Sequence, residues 1–323
     1  MKEVHQPHDR FFHAVFSELD RVRDLLRNSL PQRIVQMLDL DSIELADDTF
    51  IDERLSLYQS DILIRTRIRS SPVLVYVLVD HKSYPDRWAV LQLLVYMVRI
   101  WEKELSLHRK LKKLPCIIPI VFYHGGRKWT YPLNFMSYVE VNNELKAYIP
   151  DFQTLMFNLQ TVDMESLHGG IAFQVALRAF KHAGKELQSH LGEMLTSVSK
   201  LPDDAKTKAF LSRLFEYILK VGGDFDVAVV EEELQSVESP ISKEVFMTLE
   251  EQILERGKVE GKLEGTIREK QQVLIRLLEK KFGPLDDDNK QNILDNKDRD
   301  KLDGAIDLIL DAESVTEVMS PLS

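Results

Sequence analysis

Asp61, Asp80 and Lys82 are the residues of this sequence whose types and spacing could do chemistry together. Two strand-like runs, DILIRTRI and PVLVYVLVDHK, flank Ser70-Ser71, and a two-residue loop there would join them as a hairpin. In that register Asp61 faces Asp80, with Cβ atoms about 4.5–5.5 Å apart. Two carboxylates so close repel each other, so either a cation lies between them or one stays protonated. A bulge or a longer loop would shift this register.

A divalent cation is the economical solution to this repulsion. Mg²⁺ takes carboxylate oxygens, keeps several waters and completes its shell from substrate phosphate. Because side chains alternate along a strand, Lys82 shares the face of Asp80 while His81 points away. An ammonium there could position a water or stabilise charge that develops on a phosphate. The alternative interpretation makes Asp61 and Asp80 ordinary hairpin acids that pair with arginines such as Arg65.

Gln92 and Tyr96 extend the pattern onto the helix predicted after the hairpin. They are four residues apart and therefore share a helix face, inside the apolar stretch LQLLVYMV. A glutamine in such a stretch needs a partner, which a metal site or a phosphate would supply. The alternative is that Tyr96 belongs to the core and Gln92 is a partly exposed helix residue.

The elements that must position these residues follow from apolar periodicity. The predicted spans are helices over 9–30 and 32–40, the hairpin over 60–82, a helix over 85–112, strands over 115–123 and within 150–160, and helices over 164–222. The apolar face predicted for the 85–112 helix consists of Trp88, Leu91, Leu94, Val95, Val98 and Trp101. This order of elements predicts a mixed α/β domain.

The chain changes character past about residue 224. Glycines recur every four residues in RGKVEGKLEG, and each costs about 1 kcal/mol relative to Ala in a helix. This favours a solvated connector over a stripe for close helix contact. The predicted division is an α/β domain over 1–223, a charged Gly/Glu/Lys-rich helical connector over 224–270 and a small helical module over 271–323. We predict that the chain forms a homodimer through this last module.

The composition of the chain limits which broad class of protein it can be. The chain has 323 residues, 44% apolar and 29% charged, with a net charge of −10, as in ordinary soluble globular proteins. Its longest apolar run, 73–79, is too short to span a bilayer, and MKEVHQPHDR lacks the apolar stretch of a signal peptide. We therefore predict no membrane contact. With one cysteine the expected location is the reducing cytoplasm.

One segment reverses the overall charge. Residues 65–113 contain eleven Lys or Arg and four acidic residues. This is either a phosphate-facing surface or a set of solvated helix charges. Two other features are interpreted as structural. His124-Gly125-Gly126 lacks the pattern of a nucleotide loop and is predicted to be a turn, and Cys116 is predicted to be a buried, inert thiol.

The residues of the hairpin and the following helix together resemble the PD-(D/E)xK nuclease core, in the variant of RecB-like nucleases. The flanking text is more specific, because several segments resemble the Rpn family of bacterial recombination-promoting nucleases, also labelled transposases. These segments are HDRFFHAVFS, LYQSDILIRTRI, VYVLVDHKS, LQLLVYMVRIWEKEL and PCIIPIVFYHGGRKW. The resemblance is good over about 5–135, looser over 140–250, and returns in the Gly/Glu/Lys repeat and LLEKKFGPL.

The resemblance implies a restriction-endonuclease-like α/β core, with a central mixed sheet flanked by helices and a helical C-terminal region. It also implies that Asp61 and Asp80 ligate Mg²⁺, helped by the main-chain carbonyl of His81. An acid on the first helix sometimes completes the metal shell in this superfamily. Asp9 and Glu18 are both candidates for that position.

The same resemblance assigns roles to the remaining site residues. Lys82 would orient the attacking water, and Gln92 and Tyr96 would support the site or touch the DNA backbone. The second-strand motif of relatives often reads E-H-Q, whereas this chain has D-H-K. The retained lysine favours an intact site, while Asp for Glu shortens the ligand by one methylene.

The implied function is a Mg²⁺-dependent DNA endonuclease that leaves 5′-phosphate and 3′-hydroxyl ends and promotes recombination or mobile-element transposition. The expected partners are DNA and, through the C-terminal helical region, a second copy of the chain. The alternative is a DNA-binding or assembly protein whose nuclease fold no longer cuts. Net acidity and the long helical tail motivate that alternative.

Overall fold

The computed structural model describes residues 6–46, 62–69, 71–184, 186–222, 227–237 and 239–322. Within these ranges the chain divides into two compact units, 1–247 and 248–323. No helix of the described ranges is long and apolar enough to cross a membrane. The predicted three-part division at 223 and 270 stays a prediction.

A mixed sheet forms the centre of the first unit. Its strands lie in chain order and are β1 (Glu44–Leu45), β2 (Ile62–Ile68), β3 (Ser71–Lys82), β4 (Cys116–Tyr123) and β5 (Leu155–Asn158). The first three pair antiparallel, and β3–β4 and β4–β5 pair parallel. The predicted α/β class with a central mixed sheet is confirmed, and the run within 150–160 supplies β5.

The predicted hairpin register holds over its described part. Ile62 pairs with Val79 and Arg67 with Leu74, as a two-residue loop at 70–71 requires. The register shifts only at the loop end, where Ile68 pairs with Ser71. Asp61 lies outside the described residues, so its pairing with Asp80 stays a prediction.

Helices cover both faces of this sheet. In chain order the first eight α-helices of the described ranges are α1 (Gln6–Phe16), α2 (Leu19–Ser29), α3 (Gln32–Met37), α4 (Ala89–Leu107), α5 (Ile171–Lys181), α6 (Leu187–Val198), α7 (Ala205–Val221) and α8 (Val227–Ser236). The single helix predicted over 9–30 is wrong, because Glu18 is extended (φ −96°, ψ 119°) and separates α1 from α2. The Ser17 hydroxyl also donates to the Ala14 carbonyl (3.0 Å) at the end of α1.

Side chains along β3 point alternately to the two faces of the sheet, so the core has two layers. Tyr76 and Leu78 of β3 point to the side where Leu93 and Met97 of α4 pack. The intervening residues of β3 point to the side of α1 and α5, where an aromatic cluster includes Phe12, Phe122 and Phe180. Successive side chains of β3 therefore reach opposite layers of the unit.

The predicted apolar face of the 85–112 helix is wrong. Trp88, Leu91, Val95 and Val98 are exposed, and the buried face of α4 is instead Ala89, Val90, Leu93, Tyr96, Met97 and Ile100. The helix is apolar around most of its circumference, so periodicity alone could not choose the face. It also begins later than predicted, because Asp86 Oδ1 accepts from the Trp88 amide (2.8 Å) in the turn after Pro85.

The second unit is helical, as predicted for the C-terminal region. It contains the later part of α9 (Pro240–Phe282), then α10 (Asp287–Asp295), α11 (Arg299–Leu308) and α12 (Val315–Met319). Its own core includes Leu274, Leu278, Ile293, Leu302 and Val318. The glycine repeat lies within α9 and is helical.

Candidate active site

Strand β3 carries polar residues out of the core at its C-terminal end. Asp80 and Lys82 lie on the α4 side of the sheet, next to Val121 and Tyr123 of β4. Both side chains are almost sealed from solvent, with Asp80 1% and Lys82 9% exposed. Ionised groups stay at such positions only when they are paired.

Lys82 is the centre of the cluster. Its Nζ lies 2.8 Å from Gln92 Oε1, 3.3 Å from Asp80 Oδ1 and 3.4 Å from Asp86 Oδ2. The contact with Gln92 is a hydrogen bond, and those with Asp80 and Asp86 are ion pairs. The predicted proximity of Lys82 to Asp80 is confirmed.

Gln92 and Tyr96 continue this chain of hydrogen bonds into the core. Gln92 Nε2 donates to the Tyr96 hydroxyl (2.6 Å), while its Oε1 accepts from Lys82. Both the oxygen and the nitrogen of the Gln92 amide therefore have a hydrogen-bond partner, as a polar group in an apolar stretch requires. Tyr96 is also part of the buried core and Gln92 is partly exposed, as the alternative interpretation predicts, but the Tyr96 hydroxyl and the Gln92 amide are hydrogen-bonded to each other.

His81 lies on the opposite face, as strand alternation predicts. Its Nδ1 is 3.3 Å from Asp9 Oδ1, and its ring stacks on Phe12 and His124. Burial, with a smaller contribution from His8 and other nearby cations, holds the pKa of His81 well below its usual value. The imidazole is therefore neutral, and the predicted metal contact of its main-chain carbonyl stays a prediction.

The structure separates the two acids of the first predicted helix. Asp9 on α1 contacts His81 of β3. Glu18 instead pairs with Lys206 at the start of α7 (2.6 Å). Asp9 is thus the acid that lies beside the strand carrying the site.

Asp86 is the residue that sequence reasoning missed. It contacts Lys82 and accepts from the Trp88 amide in the turn before α4. No periodicity marks a residue in a short loop. The available signal was an acid four positions after the lysine, in a turn that follows Pro85.

The loop after β4 closes against the same strand end. His124 N donates to the Lys82 carbonyl (3.2 Å), and Gly125 follows it. A Cβ at Gly125 would collide with the Ser83 carbonyl oxygen and would lie 2.6 Å from the Tyr123 hydroxyl. Only glycine fits at this position, because the backbone of residue 125 lies so close to the Ser83 carbonyl. His124-Gly125-Gly126 lies outside helix and strand, as predicted.

Lys82 of the basic segment lies in this site, but other cations of the segment lie away from it. Arg67 pairs with Leu74, and β4 begins opposite Val75. At about 3.3 Å per residue, that end of β3 is roughly 23 Å from Lys82. The exposed cations of 109–113, which precede β4, therefore lie toward the far end of the sheet.

Cys116 differs from its prediction. It is the first residue of β4 and its side chain is exposed, so the prediction of a buried thiol is wrong. Partial desolvation nevertheless raises the pKa of this thiol. Every residue of β4 is buried from Pro119 onward, and β5 pairs with the strand from Ile120.

The residues around Asp80 suit a hard divalent cation, which prefers oxygen ligands. Asp80 presents a buried carboxylate at a strand end, and Asp86 supplies a second carboxylate across Lys82. Among the described residues no group of three or more His, Cys, Asp or Glu side chains could hold a metal by itself. Such a site would thus need Asp61, which lies outside the described ranges, main-chain oxygens or substrate phosphate.

The mixed sheet and the residues at the end of β3 are consistent with an α/β nuclease-like core. The chain belongs to the family described as "Putative transposase, YhgA-like", whose model matches residues 6–209. It is also similar to Rpn recombination-promoting nucleases over most of its length.

Three curated relatives illustrate this similarity. Recombination-promoting nuclease RpnD of Escherichia coli O157:H7 is 27% identical, covering 76% of this chain and 94% of the relative. Recombination-promoting nuclease RpnA of Escherichia coli K12 is 26% identical, covering 79% and 86%. Inactive recombination-promoting nuclease-like protein RpnE of the same strain is 24% identical, covering 85% and 91%. No solved structure matches the chain.

Proposed function

We propose that this protein is a Mg²⁺-dependent DNA endonuclease that hydrolyses phosphodiester bonds and acts in recombination or transposition of mobile elements. The observation that carries the proposal is the buried Lys82, held by Asp80 and by the Gln92–Tyr96 pair. The names of the relatives RpnD and RpnA support the same activity.

In this proposal Asp61, Asp80 and the main-chain carbonyl of His81 hold the metal. When bound, Mg²⁺ supplies charge neutralisation at the phosphate and lowers the pKa of a bound water. Lys82 orients the attacking water toward the phosphate. Gln92 fixes the position of the ammonium, so that no reorganisation is needed during the reaction.

A catalytically silent DNA-binding or assembly protein is the second candidate. The specific observation in its favour is that a relative covering 85% of this chain is named inactive. In the described structure Lys82 keeps its contacts to Asp80 and Gln92, which the active proposal requires.

Incubation with supercoiled plasmid separates these two candidates. We expect the wild type to nick the plasmid with Mg²⁺ and to be inactive with EDTA, and T4 DNA ligase to reseal the nicks because their ends are 5′-phosphate and 3′-hydroxyl. Asp80→Asn keeps the side-chain shape and should abolish nicking, while the exposed Glu140→Gln serves as the matched control. Plasmid binding without nicking by the folded wild type would instead support the silent protein.

We also propose a homodimer formed through the C-terminal helical region, and a cytoplasmic location. Leu310 of the second unit is an exposed apolar side chain, and in this proposal the second copy covers it. Sedimentation velocity at micromolar concentration should show twice the 37.4 kDa chain mass and a monomer for Leu310→Lys. A wild type that sediments only as monomer would contradict the dimer.

A further inference from the structure

Two large aromatic rings are exposed where β3 leads into α4. Tyr84 is 54% exposed and Trp88 is 50% exposed. The rings are separated by only three residues, in the loop that begins directly after Lys82. Neither ring belongs to the core cluster between α4 and the sheet, although neighbouring Ala89 does.

The loop that carries these rings is anchored to the candidate active site. Asp86 Oδ2 is 3.4 Å from Lys82 Nζ, and Asp86 Oδ1 accepts from the Trp88 amide (2.8 Å). Asp86 and Trp88 are two residues apart, and two residues of extended chain span at most about 7 Å. The backbone of Trp88 is therefore held close to Lys82.

The surroundings of Trp88 combine flat rings with positive charge. The Arg87 guanidinium lies 5.2 Å from the centre of the Trp88 ring. The centre of the Tyr138 ring lies 5.9 Å from the centre of the Trp88 ring. A nucleotide offers both matching chemistries, because its base has a π face and its phosphate is an anion.

We propose that Tyr84 and Trp88, with Arg87, form a stacking platform for unpaired DNA bases next to the scissile phosphate. This inference rests on the proposed nuclease function and specifies its substrate class. Bases inside a closed duplex are already stacked on each other and cannot cover these rings. The protein therefore prefers single-stranded or frayed DNA over blunt duplex.

Trp88 also begins an exposed apolar stripe along α4 that continues through Leu91, Val95 and Val98. A helix of another protein could cover such a stripe. The guanidinium over Trp88 and the link from the loop to Lys82 favour DNA, because neither is needed for an apolar helix contact. The experiment separates the two occupants.

The test measures DNA binding without cleavage. Full-length protein in EDTA is titrated into fluorescein-labelled 30-nucleotide dT and into a blunt 30-base-pair duplex, with anisotropy as the readout. We expect Trp88→Ala to weaken binding of the single strand at least tenfold and duplex binding less than twofold. Trp88→Phe, which keeps a stacking ring, should restore single-strand binding to within about threefold of the wild type.

Tyr148→Ala is the matched control, because Tyr148 is 81% exposed but lies in a different surface segment. It should bind both DNAs as the wild type does. Unchanged single-strand binding by Trp88→Ala would overturn the platform. If that variant also changes its sedimentation coefficient, the stripe belongs to a protein contact instead.

The readout also separates this inference from the nuclease proposal. A wild type that binds the single strand through Trp88 but never nicks plasmid would support the stacking platform and contradict the nuclease proposal. Nicking by the wild type, together with normal single-strand binding by Trp88→Ala, would support the nuclease proposal and contradict the stacking platform.

Discussion

Lys82 is a buried ammonium with a carboxylate on either side, Asp80 at 3.3 Å and Asp86 at 3.4 Å. Removing one partner of a buried pair leaves an uncompensated charge, whereas removing both leaves none. The stability of the folded unit should therefore depend on the residues jointly. Their energetic coupling can be measured separately from activity.

A double-mutant cycle tests this coupling. Lys82→Met should lower the free energy of unfolding by about 3–5 kcal/mol, because Asp80 is then buried without its cation. Adding Asp80→Asn should recover part of that loss. The measurement is urea unfolding in EDTA, and strictly additive effects of the two substitutions would contradict the pairing.

Tyr96→Phe tests the hydrogen bond that supports the site from the core. The variant loses the acceptor of Gln92 Nε2 while the buried ring remains. A hydrogen bond of this kind contributes about 0.5–1.5 kcal/mol, so we expect a two- to tenfold lower kcat for plasmid nicking. DNA affinity should be unchanged, and Tyr148→Phe is the control. A variant with unchanged kcat would show that the hydroxyl does not position Lys82.

Several of these contacts could be predicted from the sequence. Strand alternation places Lys82 beside Asp80, and the spacing of four places Gln92 on the side of Tyr96. Asp86 could not be predicted, because its contact depends on the path of a short loop rather than on a period. The exposure of Cys116 was missed because an apolar strand need not be covered over its whole length.

At the scale of elements, β3 and the loop after β4 depend on each other. The Gly125 backbone approaches the Ser83 carbonyl so closely that no Cβ fits between them. Ser83 directly follows Lys82, so any displacement there is transmitted to the site. The neighbouring Gly126 has open space around it.

These two glycines form a matched pair for mutation. We expect Gly125→Ala to shift the loop at Ser83, to lower the nicking rate at least tenfold and to lower the melting temperature. Gly126→Ala should leave both within error of the wild type. Equal behaviour of the two variants would mean that the close approach does not position the site.

The prediction of elements succeeded where one physical signal dominated. The hairpin and β5 were recognised because apolar runs between polar turns have few alternatives. The buried face of α4 was not, because a helix that is apolar around most of its circumference gives no contrast between faces. The break between α1 and α2 was missed because Glu18 interrupts the helix without proline or glycine.

At the scale of the whole first unit, the partly buried His8 and the buried His81 and His124 join α1, β3 and the loop after β4. The His8, His81 and His124 rings stack or tilt against one another at 4.8 Å between centres. Burial, with the nearby His81 and His8, also holds the pKa of His124 well below its usual value. In the described structure His81 Nε2 and His124 Nε2 have no hydrogen-bond partner.

This cluster predicts a loss of stability in acid. The unfolded chain protonates the His81 and His124 imidazoles near pH 6.5, whereas burial holds their pKa values in the folded chain well below that. Unfolding therefore takes up protons below about pH 6.5, and the free energy of unfolding falls with pH. The expected slope is up to about 1.4 kcal/mol per pH unit for each histidine.

Urea unfolding in EDTA at pH 7.5 and 5.5 measures this slope. His124→Phe keeps a planar ring without a titrating group and should reduce the pH dependence. His168→Gln, which removes an exposed imidazole, is the control. A wild type whose stability is unchanged between these pH values would contradict the neutral, buried cluster.

The central claim is that the buried ammonium of Lys82 performs the proposed chemistry. The most direct test compares Mg²⁺-dependent nicking of supercoiled plasmid by the wild type, by Lys82→Met and by Lys200→Met, which removes an exposed lysine. We expect Lys82→Met to lose at least a hundredfold in rate while still folded by circular dichroism, and Lys200→Met to match the wild type. Nicking by folded Lys82→Met at the wild-type rate would contradict it.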